Sequence, residues 1–102
     1  MFSDIETTTA LASLGTRLKG ARLTKGDSQA LFAKRIGVSV PTLRDMEQGS
    51  ATVAVGAWAA ALWMLSRLAD IDRVLEVKES LFDQIARQPK PRQRAPRKTK
   101  KP

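Results

Sequence analysis

Val40, Pro41, Arg44 and Asp45 are spaced to form one exposed strip along the start of a short helix. Their chemistry suits the edges of base pairs. An arginine can donate a bidentate pair of hydrogen bonds to guanine, and a carboxylate can accept from cytosine or orient the arginine beside it. Valine and proline can pack on thymine methyl groups. Other groups suit phosphate: Gln29, Ser39 and Thr42, then Lys25 and Lys34. Gln29 opens a helix, where free backbone amides also favour an anion.

Such a strip needs a helix held firmly by its opposite side. The run SQALFAKRIGVSVPTLRDMEQG, Ser28 to Gly49, has that form. Asp27 or Ser28 caps a helix through about Ile36, with Ala30, Leu31, Phe32, Ala33 and Ile36 available for burial. Gly37 ends it in a tight turn. Ser39 caps the next helix, about Val40 to Gln48, and Pro41 sits near its start, where a missing N–H leaves no bond unmade. Leu43, Met46 and Glu47 face the rest of the domain, and Gly49 closes the helix. Two helices joined by a tight turn, one bracing and one reading, make a helix-turn-helix.

The flanking chain reads as helix throughout. Residues 1–9 are expected to be a disordered lead-in. A first helix is expected from about Ala10 to Leu23, with Leu11, Leu14, Leu18 and Leu23 near one face, and Lys25-Gly26 breaks it. A fourth spans about Val53 to Leu65, with Val55, Trp58, Leu62 and Leu65 as its core stripe. Trp63, beside Ala59, lies on another flank and is a candidate dimer contact, because aromatic residues are enriched at interfaces. A fifth is expected from Ile71 to about Arg87, with Leu75, Val77, Leu81, Phe82 and Ile85 on its apolar side. Asp72, Glu76, Glu79 and Asp83 fall on one face of it and read as a solvated surface. No alternating β-branched run signals a strand. The fold class is therefore all-α, about five helices, with residues 10–86 as one domain and 53–86 as its dimerisation helices.

Composition excludes several classes of function. The 102 residues hold no cysteine and no histidine. That removes thiolate and imidazole metal sites, imidazole-dependent triads and the usual general base at neutral pH. The reading is accordingly not an enzyme, with no metal and no cofactor. No apolar run approaches the length of a membrane span, and the acidic N-terminus is unlike a signal peptide. A cytoplasmic, nucleoid-associated location is expected.

The net charge is +8, and its placement is informative. Residues 1–86 balance ten Lys/Arg against ten Asp/Glu, whereas residues 87–102 carry eight basic residues and no acid. Within the balanced part, residues 15–50 stand at +4, as a phosphate-facing region should. From Arg87 on, four prolines and no large apolar residue predict a disordered basic tail. Arg87, Lys90, Arg92, Arg94, Arg97 and Lys98 are its candidate contacts to flanking DNA.

The stretch from about Leu14 to Ser66 resembles the Cro/phage-repressor (Xre-type) helix-turn-helix family. The residues that carry the resemblance are Arg22, Ser28-Gln29, Ala33, Gly37-Val38-Ser39, Leu43, Met46, Glu47 and Gly49. It implies a lambda-repressor-like domain that binds a double-stranded DNA operator as a homodimer. It also implies backbone contact by Gln29, a groove-lining role for Val40, Pro41, Arg44 and Asp45, and a structural ion pair between Arg22 and Glu47. Two positions depart from the pattern. Phe32 replaces a usual leucine, and Val40-Pro41 replaces polar readers, which shifts base discrimination onto Arg44 and Asp45 or onto DNA shape.

A narrower resemblance covers residues 38–68, on Pro41-Thr42-Leu43, Val53, Gly56 and Leu62-Trp63. Those residues look like small regulators of the HipB antitoxin type. This implies autoregulation of a toxin–antitoxin operon and a HipA-like kinase toxin as partner. The alternatives are a protein-interaction module that mainly neutralises a toxin, or a plain phage-type regulator without one.

Overall fold

The computed structural model describes residues 4–78, and among these the ordered elements are all helical. They are α1 (Ile5–Lys25), α2 (Gln29–Ile36), α3 (Val40–Glu47), α4 (Val55–Met64) and a short α5 (Ala69–Asp72). The all-α class is as expected from the sequence, and the tail from Arg87 lies outside the described residues.

Local signals explain most of the boundaries. Asp4 caps α1 by accepting from the Glu6 amide at 3.0 Å. Ser28 caps α2 through the Leu31 amide at 3.1 Å, and Ser39 caps α3 through the Thr42 amide at 3.2 Å. Each hydroxyl satisfies a first-turn donor that has no intrahelical acceptor. Helices α1 to α4 close in one way, with a left-handed residue after the last turn and two bonds folded back onto carbonyls. After α2 that residue is Gly37, with Val38 N–H on the Ala33 carbonyl at 3.0 Å. After α4 it is Ser66, φ 60°, with Arg67 N–H on the Leu62 carbonyl at 2.7 Å.

The core consists of Leu18, Phe32, Ala33, Ile36, Leu43, Met46 and Ala61. Helix α1 packs on α3, and α2 packs on both α3 and α4. Val38, Val53, Ala57, Trp58, Met64 and Leu65 close the edges of this core.

Several expectations are corrected. The residues taken as a lead-in are helical from Ile5, because Asp4 caps the helix two turns upstream of the leucines. Leu23 and Leu31 are exposed, since the faces of α1 and α2 that meet α3 centre on Leu18 and on Phe32-Ala33. The stripe expected on α4 is rotated. Ala61 is its fully buried residue, whereas Val55 is 76% exposed and Trp58, Leu62 and Leu65 are only half-buried. An alanine at the contact lets the α2 and α4 axes approach closely, which leaves larger neighbours to flank the seam.

Over the described part of the expected fifth helix, up to Lys78, only the single turn α5 forms. Val74 and Glu76 donate to carbonyls three residues back, and Leu75 takes φ 62° with 96% of its surface exposed. Asp70, Asp72 and two β-branched residues, Ile71 and Val74, give this stretch weak helix propensity, and the left-handed Leu75 ends it. Leu75 and Val77 are thus solvent-facing and not a buried stripe. Leu81, Phe82, Ile85, Glu79 and Asp83 lie outside the described residues.

Candidate nucleic-acid interface

Helix α3 is split sharply between two environments. Leu43 and Met46 have no exposed surface and Glu47 is buried, while Pro41, Arg44 and Asp45 are exposed. Ser39 both caps the helix and donates its hydroxyl proton to Thr42 Oγ1 at 3.0 Å. Thr42 is half-buried by this arrangement. Val40 departs from its expected place: it is half-buried and packed against the core. As the first residue after the cap, its side chain turns back over the preceding chain and toward the core.

A polar network fixes the far end of α3. Arg22 Nε donates to Glu47 Oε2 at 2.6 Å and a terminal nitrogen to Oε1 at 3.2 Å, a bidentate pair with both side chains buried. The other terminal nitrogen donates to the Asp27 carbonyl at 2.9 Å. Gln29 Nε2 also donates to Glu47 Oε1, at 3.1 Å. One carboxylate thereby joins α1, the start of α2 and the end of α3. Each of the three guanidinium nitrogens donates at least one bond, which offsets part of the cost of burying the pair. The half-buried Gln29 keeps its amide oxygen and one N–H free of this contact.

Three contacts here were not foreseen from the sequence. Asp27 is buried and pairs with Arg35 at 3.2 Å, which ties the start of α2 to its last turn. Gly15 meets the end of α3 backbone to backbone: a Cβ there would lie 2.5 Å from the Glu47 carbonyl oxygen and 2.6 Å from that of Met46. Gly49, at φ 84°, likewise leaves no room for a Cβ beside Ala12. The available signal for Gly15 was a glycine inside a helix, which costs about 1 kcal/mol against alanine and so points to a packing reason.

Lys25 ends α1 and Lys34 lies in the last turn of α2, both exposed. The tail candidates Arg87, Lys90, Arg92, Arg94, Arg97 and Lys98 fall outside the described residues. Trp63 is 65% exposed, on a shallow surface shared with Met64, Leu68 and Ala69. Asp72 and Glu76 are exposed, and among the described residues no group of three or more potential ligands could hold a metal. No described helix is long and apolar enough to cross a membrane.

A family model described as a helix-turn-helix domain matches residues 13–85. The chain belongs to that family. No characterised protein and no solved structure gives a significant match. The matched span begins inside α1, takes in every helix after it, and reaches Ile85. This helix-turn-helix protein therefore carries a DNA-binding domain, with α2 and α3 as the two helices of the motif.

Proposed function

We propose that the protein is a sequence-specific transcriptional repressor that binds its operator as a homodimer. The observation that supports this most is the two-sided character of α3. Its buried side is fixed by Leu43, Met46 and the Glu47 network, so Pro41, Arg44 and Asp45 are presented on a rigid support. Arg44 is the guanine reader, Asp45 accepts from cytosine or orients Arg44, and Pro41 packs on a thymine methyl. Val40, half-buried, contributes at most the edge of its side chain. Gln29, Ser39, Thr42, Lys25 and Lys34 contact the sugar-phosphate backbone, and the basic tail adds contacts without sequence preference. Occupying a promoter blocks transcription without any chemical step.

A two-fold symmetric dimer would place its reading helices roughly 34–36 Å apart, one DNA turn, on a palindromic site. The test is binding to the promoter of its own gene, measured against random duplex of equal length at fixed salt. A protected palindrome with two half-sites is expected. Equal affinity for both duplexes would overturn sequence-specific repression.

A second reading is an antitoxin that also holds a co-encoded kinase-like toxin, or that acts mainly as such a partner. The exposed Trp63, with Met64 and Leu68 beside it, supports a protein-binding surface on the α4 side. Co-expression with the neighbouring gene product distinguishes the cases. Co-purification that is lost in Trp63→Ala, with operator binding kept, would favour the antitoxin.

A further inference from the structure

An apolar groove runs between α1 and α4 and is closed at one end by α5. Leu11, Leu14, Trp58, Leu62, Ile71 and Val74 line it, and none of the six is fully buried. We propose that the protein's own segment Leu81–Ile85 docks in this groove, through Leu81, Phe82 and Ile85.

Three observations select this occupant. The first is continuity. Ile71 and Val74 already lie in the groove, and the described chain ends at Lys78. The seven residues from Val74 to Leu81 can span up to roughly 25 Å, ample for the chain to fold back. The second is composition. Leu81, Phe82 and Ile85 are large apolar residues at spacings that put them on one helix face, and residues 87–102 contain none. The helix-turn-helix family match also ends at Ile85, so this segment belongs to the domain and not to the basic tail.

The third is charge. Arg17 lies on the groove rim, where its one side-chain partner among the described residues is the neutral Ser13 Oγ at 2.7 Å. Glu79 precedes the apolar trio, Asp83 lies within it, and both are opposite to Arg17 in sign. The other rim charge, Asp70, is already paired with Arg67 at 2.8 Å. Docking also fixes the root of the basic tail, since Arg87 follows Ile85 by two residues. None of these three observations depends on DNA binding.

The chain has two tryptophans, so Trp63→Phe leaves Trp58, in the groove, as the sole reporter. In that full-length background, acrylamide quenching and the emission maximum of Trp58 are compared with Phe82→Asp and Phe82→Ala. Gln88→Asp serves as a charge control. Docking predicts several-fold stronger quenching and a red shift in Phe82→Asp, a smaller change in Phe82→Ala and none in Gln88→Asp. These differences should hold at every protein concentration. If Phe82→Asp loses helix by circular dichroism, Phe82→Ala decides. Unchanged Trp58 exposure in Phe82→Ala overturns the proposal. Protection that disappears on dilution, together with dimer dissociation in sedimentation, overturns it in favour of a second copy as the occupant.

Discussion

Gly15 and Glu47 bring α1 and α3 into backbone contact: a Cβ on Gly15 would stand 2.5 Å from the Glu47 carbonyl oxygen. The contact lies on the same residue whose carboxylate binds Arg22 at 2.6 Å. Glu47 is therefore held at both its backbone and its side chain, and the exposed face of α3 inherits that position. The orientation of Arg44 and Asp45 depends on α1 as much as on the turn before α3.

Gly15→Ala should destabilise the fold by about 1–3 kcal/mol, because the methyl meets helix backbone that cannot rotate away. Gly20 lies in the same helix, and a Cβ there would have nothing within 4 Å. Gly20→Ala should instead stabilise by about 0.5–1 kcal/mol. Urea denaturation midpoints check both. Equal effects from the two substitutions would remove the close approach as the cause.

Removing one partner of the Arg22–Glu47 pair leaves a buried charge uncompensated. Arg22→Ala and Glu47→Ala should each cost about 3–5 kcal/mol. The double variant should lose clearly less than the two single losses combined. Gln29 and the Asp27 carbonyl are also left without a partner, so the recovery will be incomplete. A four-member cycle of denaturation midpoints measures the coupling, and additivity within error would contradict a direct buried pair.

Helix ends and the two-sided pattern of α3 were legible in the sequence because they depend on neighbours in the chain. Ser28 and Ser39 cap within three residues, and Leu43 and Met46 follow from helical spacing. Gly15, Val40 and Val55 were not legible, since each depends on where another element passes. The α4 seam shows why. Hydrophobic periodicity favoured Val55, Trp58 and Leu62, yet closeness to α2 selects Ala61 for full burial. The described start of the fifth helix had the apolar spacing of a helix, but periodicity carries no information about the left-handed turn at Leu75.

Ser66 takes the left-handed position after α4 that glycine occupies after α1, α2 and α3. Ser66→Gly removes the Cβ clash of that conformation, partly offset by a freer unfolded chain. The variant should gain about 0.5–1 kcal/mol by thermal or urea unfolding. Operator affinity should not change, because Ser66 lies outside α2 and α3. A loss of stability would mean that the serine side chain makes a contact worth more than the strain.

Arg44→Ala should lower affinity for the operator by about 1–3 kcal/mol, roughly fivefold to 150-fold, and affinity for random DNA far less. Lys34→Ala should weaken both duplexes alike and reduce the salt slope by about one unit. Titrations on the two duplexes at several salt concentrations separate the roles. Equal losses for Arg44→Ala would assign it to phosphate and leave base reading to Asp45 or to DNA shape.

Truncation after Ala86 removes all eight basic residues of the tail and leaves Leu81, Phe82 and Ile85 in place. Domain stability should therefore stay close to that of the full chain. Binding to every duplex should weaken, because each phosphate that the tail no longer neutralises keeps its condensed counterion. The slope of log affinity against log salt should flatten by about 0.9 for each such phosphate. The ratio of operator to random affinity should hold, since phosphate contacts read no bases. An unchanged slope would exclude the tail from the DNA, and a changed ratio would place part of it in a groove.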